Sequence, residues 1–400
     1  MRVLLLGDHP DGVALAEALV RQGKHQLAVY AGPAATAERL ASLGIDIQTY
    51  RDAETALALA DIAAVIVADE LAFRPAMLRR ALQSEKHVLC VHPADVTPDI
   101  AYEAMMIQQD THKQLVPLLP ERVTPGQKWL REQVASGRLG RLQSVEIEQC
   151  FASPAMVPSS VVWEGHPLLS VWDVLRQLGG EVQDLSAVAT SVDMLQPTDR
   201  VTLTGRFAQG ELFQVLLLPQ ATGELAVRVT VRGDKGEAGL DGPFGWFGEC
   251  YGRVTVPGQP EQITTLPAQF RPDSLLALAG PTLELHTPLV SWTDATRCLE
   301  LFDAARRSVK RRRVVPMDYE AQSEAGNFKS FMTAFGCLTL LAVIVLFFMT
   351  PTFPWSKYLI PVLLTVFLGL QGLRWVIRDQ AQPDLEATQE QKENPSQDVS

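Results

Sequence analysis

The first part of the chain alternates short apolar runs with segments in which apolar residues recur at helical spacing. Apolar runs of about four to eight residues are typical of strands buried on both faces, and apolar positions roughly three or four apart are typical of helices. The pattern predicts strand Arg2–Leu6, helix Val13–Val20, strand Gln26–Tyr30, helix Ala34–Leu43, strand Ile45–Tyr50, helix Ala53–Leu59, strand Ala63–Ala68, helix Pro75–Leu82 and a strand within Lys86–Pro93. Such alternation indicates a parallel sheet covered by helices.

The last of these strands ends abruptly at a histidine and a proline. From Lys86 to Pro93 the sequence is K-H-V-L-C-V-H-P. In open α/β sheets, ligands bind in a crevice at the carboxyl ends of the strands. We therefore expect Val91, His92 and Pro93 to lie at such a crevice.

After Thr97 the pattern changes, and strands with alternating apolar and polar residues replace the fully apolar ones. A period of two is typical of antiparallel strands with one buried face. The predicted elements are helix Thr97–Gln114, helix Gly126–Ser136, strand Val145–Phe151, helix Leu168–Leu178, and strands Arg200–Phe207, Leu212–Leu218 and Leu225–Arg232. We expect one domain over residues 1–120 and a second, α+β domain with an open mixed or antiparallel sheet over residues 121–320.

Two uncharged apolar segments lie near the C-terminus, at Phe331–Met349 and Tyr358–Leu373. The first is long enough for a membrane-spanning helix. The second is long enough if the charged ends of Lys357 and Arg374 extend to the interface. We predict a two-helix transmembrane hairpin over residues 331–377. A helical hairpin buried in a soluble core is the alternative.

Basic residues flank this predicted hairpin on both sides. Lys310–Arg313 and Lys329 precede it, and Arg374 and Arg378 follow it. Because cytoplasmic segments carry an excess of Lys and Arg, we predict a two-span membrane protein whose globular domains and termini are cytoplasmic. The basic run can also contact anionic lipid headgroups. The polar, acid-rich tail over residues 379–400 is predicted to be disordered.

Composition narrows the functional classes. The formal net charge of -11 argues against a nucleic-acid partner, because phosphate binding requires a basic surface. The five cysteines show neither paired spacing nor a Cys-x-x-Cys motif. We therefore expect neither a disulfide framework nor a metal site, and a reducing, cytoplasmic setting fits this pattern.

The turn after the first strand resembles a dinucleotide-binding fingerprint. Gly7 and Gly12 stand at its first and third glycine positions, but His9 stands at the middle one, where glycine lets a pyrophosphate approach the backbone. Asp8 and Asp11 add negative charge at a helix N-terminus that would otherwise attract an anion. A working cofactor turn and a plain tight turn both remain open.

The end of the second strand would meet the cofactor ribose in such a unit. It has the sequence Tyr30-Ala31-Gly32-Pro33, without an acid for the ribose or an arginine for a 2'-phosphate. Ala31 is therefore a candidate cofactor contact that favours neither NAD nor NADP. Asp69, directly after the strand Ala63–Ala68, is a further candidate contact.

Several segments together carry a resemblance to a known family. They are Val65–Ala68, Ala81-Leu82, Lys86–Cys90 with Pro93, and Trp292–Val315. These segments resemble the glucose-fructose oxidoreductase and inositol dehydrogenase (Gfo/Idh/MocA) family over residues 1 to about 315. The resemblance implies an N-terminal Rossmann-like parallel sheet that binds NAD or NADP, and a C-terminal sheet that meets the crevice and frequently serves for oligomerisation.

Two catalytic positions of that family are altered. The family's strand ends in Glu-Lys-Pro, with the lysine touching nicotinamide ribose and substrate, whereas this chain has Val91-His92-Pro93. The family's second element is a histidine with an aspartate three residues on, and here the pair is Ser170 and Asp173. His166 precedes Pro167, which favours a loop position over a place on the helix. His92 is the candidate base and Asp173 its candidate partner, unless Asp173 is an ordinary helix aspartate.

An aromatic, glycine-rich segment lies at Gly242–Gly248. We expect it to anchor strands or a subunit interface, and a substrate loop is the alternative.

Two functional hypotheses follow from these departures. The first is a membrane-anchored, atypical or non-catalytic member of the family that acts in binding or assembly at the membrane. The alternative is an active NAD(P)-dependent oxidoreductase acting on a sugar, cyclitol or polyol derivative. Expected partners are membrane lipid and a second copy of the chain through the C-terminal sheet, with a membrane protein as a further candidate.

Overall fold

Two β-sheets dominate the structure, which is a computed structural model. It describes residues 1–45, 47–111, 113–152, 168–192, 195, 199–220, 226–317 and 319. Met1–Met317 form one compact unit that contains both sheets. The predicted membrane hairpin and acidic tail, as well as His166, lie outside the described residues.

The first sheet has six parallel strands in the order β3-β2-β1-β4-β5-β6. Its elements are β1 (Arg2–Gly7), α1 (Pro10–Gln22), β2 (Gln26–Ala31), α2 (Ala34–Ser42), β3 (Gln48–Tyr50), α3 (Ala53–Leu57), β4 (Ala64–Ala68), α4 (Arg74–Gln83), β5 (His87–Val91), α5 (Asp99–Thr111) and β6 (Leu115–Leu118). Every residue of β4 is buried, as expected for a central strand with helices on both faces.

The second sheet has nine strands in the order β14-β13-β12-β11-β7-β10-β9-β8-β15. After a short 3-10 helix at Pro120–Val123, its elements are α6 (Pro125–Ala135), β7 (Leu142–Ala152), α7 (Leu168–Gly179), β8 (Val182–Ala189), β9 (Val201–Phe207), β10 (Leu212–Gln220), β11 (Ala226–Gly233), β12 (Glu237–Pro243), β13 (Cys250–Thr255), β14 (Gln262–Leu266), α8 (Arg271–Leu283), α9 (Trp292–Arg311) and β15 (Val315–Pro316). β7 and β10 are parallel, and the other neighbouring pairs are antiparallel.

One helix from the second half of the chain packs on the first sheet. Leu275 and Leu283 of α8 are buried with Leu15 and Leu19 of α1, against the face of the sheet that includes Leu5. The opposite face shares a continuous core with the second sheet. The two sheets are therefore joined by packing as well as by the chain.

The expected α/β architecture, a parallel Rossmann-like sheet followed by a second mixed sheet, is confirmed. The structure also has elements that the pattern did not predict, namely β8, β12, β13, β14 and α8. Of the helices in the described part of the chain, none has both the length and the apolar character needed to cross a membrane.

Candidate functional site

The turn between β1 and α1 lies very close to the end of β4. Gly7 has φ 85°, a conformation that side chains other than glycine's rarely adopt. A Cβ added at Gly7 would overlap the carbonyl group of Ala68, and one added at Gly12 would overlap the Ala68 side chain. The first and third glycines of the fingerprint are therefore required for the turn and for packing α1 on β4.

His9, at the middle position, caps α1. Its backbone N–H donates to the Ala68 carbonyl oxygen at 2.8 Å, and its Nδ1 accepts from the Asp11 backbone N–H at 3.2 Å. The first residue of α1 is Pro10, which has no N–H. The Pro10 and Asp11 positions thus offer no unused backbone donor to an anion.

A side-chain ion pair covers the start of α1. Arg271, the first residue of α8, donates from Nε and Nη2 to the Asp11 carboxylate at 2.6 and 2.8 Å. The guanidinium carbon lies 4.6 Å from the centre of the Phe247 ring, and Nη1 lies 3.5 Å from Oε1 of Glu121. Burial opposes the charge on Asp11, but the hydrogen bond and charge of Arg271 outweigh it and lower the Asp11 pKa.

A fully buried arginine ties together the carboxyl ends of β4 and β5. Arg74 donates to the Asp69 carbonyl oxygen at 3.0 and 2.7 Å and to the Pro93 carbonyl oxygen at 2.7 Å. Burial raises the pKa of the Asp69 side chain to about 6, although the nearby Arg74 charge opposes this. Its Oδ2 is buried without a hydrogen-bond partner among the described residues.

His92 follows β5 and precedes Pro93 through a cis peptide bond. Burial, followed by the positive charge of Arg74, lowers the pKa of its imidazole to about 3. Its Nε2 is buried and has no hydrogen-bond partner in the described part of the chain. At neutral pH, His92 is therefore an uncharged group with one unused polar atom.

Glu121, just beyond β6, is an acidic group that the sequence did not single out. Burial raises its pKa, the Arg271 charge opposes this shift, and the charges of Asp11 and Asp173 add to it. A carboxyl group with a raised pKa in a cleft is suited to proton transfer near neutral pH. Its position at the carboxyl end of a buried parallel strand was the available signal.

Asp173 lies in a buried network of ion pairs. Its carboxylate accepts from Nε and Nη2 of Arg122 and from the Gln177 amide. Nη1 of Arg122 donates to Asp294 at 2.9 Å, and Arg176 also pairs with Asp294. Asp173 is not among the described residues that line the cleft, whereas Ser170, one helical turn earlier, does line it.

The end of β2 contains a buried tyrosine. The Tyr30 hydroxyl donates to the Pro33 carbonyl oxygen at 3.1 Å, and burial raises its pKa to about 12. A Cβ at Gly32 would overlap this hydroxyl group. Tyr30 and the adjacent buried Ala31 thus occupy the corner where an acid for a ribose would stand.

Some of these groups line a cleft of about 600 Å³. His9, Asp11, His92, Glu121 and Arg271 all line it, together with Ser170 and Phe247. The structure thus brings His9, His92 and Pro93 to one cleft, with Gly7 and Gly12 in the adjoining turn. In the described ranges of the chain, no three His, Cys, Asp or Glu side chains are grouped so that they could hold a metal ion.

The fold and cleft define an α/β protein with a Rossmann-like parallel sheet and a second, mixed sheet. No family model matches the sequence, and no curated protein is significantly similar to it. Solved structures are similar to it, and they include levoglucosan dehydrogenase in complex with NADH and L-sorbose. That match has a TM-score of 0.68 at 18% identity and covers 80% of this chain and 99% of the other.

Two further similar structures come from named bacteria. Aldose-aldose oxidoreductase from Caulobacter crescentus, with glycerol, has a TM-score of 0.66 at 18% identity and covers 79% of this chain and 99% of its own. Biliverdin reductase from Synechocystis, with biliverdin and NADP+, has a TM-score of 0.63 at 18% identity and covers 78% and 98%. At these identities the likeness establishes the fold, and the expected resemblance to Gfo/Idh/MocA proteins is confirmed at that level.

Proposed function

We propose that this chain is an NAD(P)-dependent oxidoreductase of the Gfo/Idh/MocA type that acts on a sugar, cyclitol or related polyol. The observation that carries the proposal is the cleft lined by the β1–α1 turn, the end of β5, the start of α7 and the segments around Phe247 and Arg271. The turn keeps both glycines that its close approach to β4 requires. The similar structures solved with NADH or NADP+ support the same cofactor class.

The residues fit a dinucleotide on one condition. The glycine turn and the ends of the parallel strands form the usual cradle, but Asp11 and Arg271 occupy the start of α1. A pyrophosphate that binds at this position therefore has to displace one member of this ion pair. The proposed cofactor contacts are Gly7, His9, Gly12, Ala31, Asp69 and Pro93.

Bound NAD(P) supplies the acceptor or donor of a hydride at the substrate carbon. His92 presents the uncharged imidazole, and its Nε2 hydrogen-bonds the reacting oxygen. In the oxidation direction, Glu121 would accept the substrate hydroxyl proton, and a bound cofactor would supply the acceptor for the hydride from the substrate carbon. Asp173 acts as a positioning residue, because it holds Arg122, the neighbour of Glu121 in the chain.

Cofactor binding by the full-length protein tests this proposal. NADH and NADPH are titrated while cofactor fluorescence is followed, and NAD+ or NADP+ is then supplied with a panel of polyols. We expect saturable binding in the micromolar range and reduction of the cofactor by at least one polyol. No saturable signal at millimolar cofactor would overturn the proposal.

A second candidate is a non-catalytic protein of the same fold that acts in binding or assembly. It is favoured by the Asp11–Arg271 pair at the pyrophosphate position and by the low basicity of His92. Saturable cofactor binding without reduction of the cofactor by any polyol would support this candidate.

We also propose attachment to the membrane through residues 331–377. The uncharged segments and their basic flanks support this assignment. After an alkaline carbonate wash, the full-length chain is expected in the membrane fraction and a chain lacking residues 331–377 in the soluble fraction. A full-length chain released by the wash would contradict the assignment, and protease access to each terminus from the cytoplasmic side tests the orientation.

Self-association through the nine-stranded sheet is a further proposal. Ion pairs such as Arg228–Asp241 and Arg206–Asp184 lie on its strands with partly exposed side chains. Light scattering of the full-length protein is expected to give an oligomer that Arg228→Glu weakens. A monomeric wild-type protein, or an unchanged oligomer in the variant, would contradict this interface.

A further inference from the structure

Arg271 is a cation placed at the start of α1 by a distant part of the chain. It is separated from Asp11 by 260 positions, yet its guanidinium forms a two-bond fork with that carboxylate. Phe247 lies under the guanidinium plane, and Glu121 lies beside Nη1. Three contacts from different elements therefore hold the group at one edge of the cleft.

The start of a helix after the first strand is where dinucleotide folds bind a pyrophosphate, normally through backbone N–H groups. Here Pro10 has no N–H, and the Asp11 N–H donates to His9. Two of the first backbone positions of α1 therefore have no N–H to offer an anion, and a side-chain donor such as Arg271 can replace them. The planar fork of arginine matches phosphate oxygens as well as it matches a carboxylate.

We propose that Arg271 is the pyrophosphate-binding residue of this cleft and that Asp11 is the internal anion that the cofactor displaces from it. This inference rests on the proposed function. The Phe247 ring and Glu121 keep the guanidinium in place during the exchange. The Asp11 carboxylate remains at the N-terminus of α1, where the helix dipole favours a negative charge.

The exchange predicts opposite effects for the two partners of the ion pair. Arg271→Gln removes the cation and is expected to weaken NADH binding about tenfold or more, since a charge-assisted hydrogen bond is lost. Asp11→Asn removes the competing carboxylate, keeps the side-chain shape, and is expected to tighten NADH binding about threefold or more. A residue with a structural role alone would not change affinity in opposite directions.

Arg79→Gln is the matched control. Arg79 also forms a two-bond fork with a carboxylate, Glu103, at 2.5 and 2.6 Å, but its side chain is 40% exposed and it is not among the described residues that line the cleft. The variant removes the same charge, so NADH affinity is expected to stay within about twofold of wild type. An equal loss in Arg79→Gln and Arg271→Gln would show a general field effect and overturn the inference.

Thermal unfolding of each variant establishes that it is folded. If Arg271→Gln does not fold, Arg271→Lys takes its place. Lysine keeps the positive charge but cannot form the two-bond fork, so a partial loss of NADH affinity is expected. If wild type binds NADH and the Arg271 variant binds it with the same affinity, the inference is overturned and the proposed function stays intact.

Inorganic pyrophosphate distinguishes a failure of the proposed function from a failure of the Arg271 anion site. If it raises the melting temperature of wild type but not of Arg271→Gln, while NADH and NADPH do not bind, the anion site stands and the proposed function fails. If neither pyrophosphate nor NADH binds to wild type or to Asp11→Asn, both ideas are overturned.

Discussion

Arg122, the residue after Glu121, forms a buried ion pair with Asp173. Nε of Arg122 donates to Oδ2 of Asp173 at 3.1 Å, and the side chains are 14% and 6% exposed. Burial disfavours the charge on Arg122, but its bonds to Asp173 and Asp294 prevail and raise its pKa. The pair therefore depends on both partners, because either one alone would leave a buried charge without compensation.

Replacing Asp173 with Asn is expected to lower the free energy of unfolding by about 3 kcal/mol, because Arg122 stays charged and buried. Urea unfolding measures this change. Asp303→Asn in α9 is the control, since its partner Arg307 is 46% exposed, and a loss of less than about 1 kcal/mol is expected. Equal losses in the two variants would contradict the structural role of Asp173.

Replacing Gly12 with Ala is expected to lower the free energy of unfolding by about 2 kcal/mol, because the new methyl group overlaps the Ala68 side chain. Gly239→Ala in β12 is the control. A Cβ there makes only ordinary contacts, the nearest at 3.6 Å to the Arg253 side chain, so a change of less than about 1 kcal/mol is expected. A neutral Gly12→Ala variant would show that α1 does not need this close approach.

The buried neutral imidazole of His92 makes stability fall with acid. A lowered folded-state pKa means that the unfolded state binds the proton first. This stability is fully present above pH 6.5 and is lost at up to about 1.4 kcal/mol per pH unit as the pH falls towards 3.

The prediction is that His92→Gln loses less stability than wild type between pH 7 and about pH 4.5. Burial also lowers the pKa values of His25 and His87, so the difference between the two proteins isolates His92. Identical slopes for wild type and His92→Gln would contradict the burial of this imidazole.

Glu121 has the opposite pH dependence. Because its pKa is raised in the folded protein, its ionised form costs stability above the folded pKa, and that cost disappears as the pH falls through it. Glu121→Gln is therefore expected to be more stable than wild type at pH 8, with a difference that shrinks towards pH 4.5. Urea unfolding at both pH values measures this, with exposed Glu132→Gln as the control. A less stable variant at pH 8 would show that the contact with Arg271 dominates.

The central parallel strands β1, β4 and β5 were predictable because each contains a short, buried apolar run. The predicted strand Ile45–Tyr50 was too long, because only Gln48–Tyr50 pairs with β2. β8 was missed because a register shift between Val182 and Asp184 interrupts its alternation. β14 was missed because four of its five residues are exposed, which leaves no buried face to detect.

The residues of the candidate site were predictable only where a polar or titratable side chain follows a predicted strand or lies in a glycine turn. His92 and the β1–α1 turn met that condition. Arg271 did not, because its contact with Asp11 spans nearly the whole domain and its helix contains Gly280 and Pro281, which hide helical spacing.

The position of α8 constrains how the protein can be made. Leu275, Ala279 and Leu283 pack with Leu15 and Leu19 of α1 on one face of the first sheet, so part of that face stays exposed to water until α8 has been synthesised. A fragment ending at residue 120 is therefore expected to aggregate on expression, whereas residues 1–317 are expected to unfold in one cooperative transition. We expect the N-terminal half to depend on the last part of the domain for its solubility, and a nascent chain stalled before Arg271 to require chaperones.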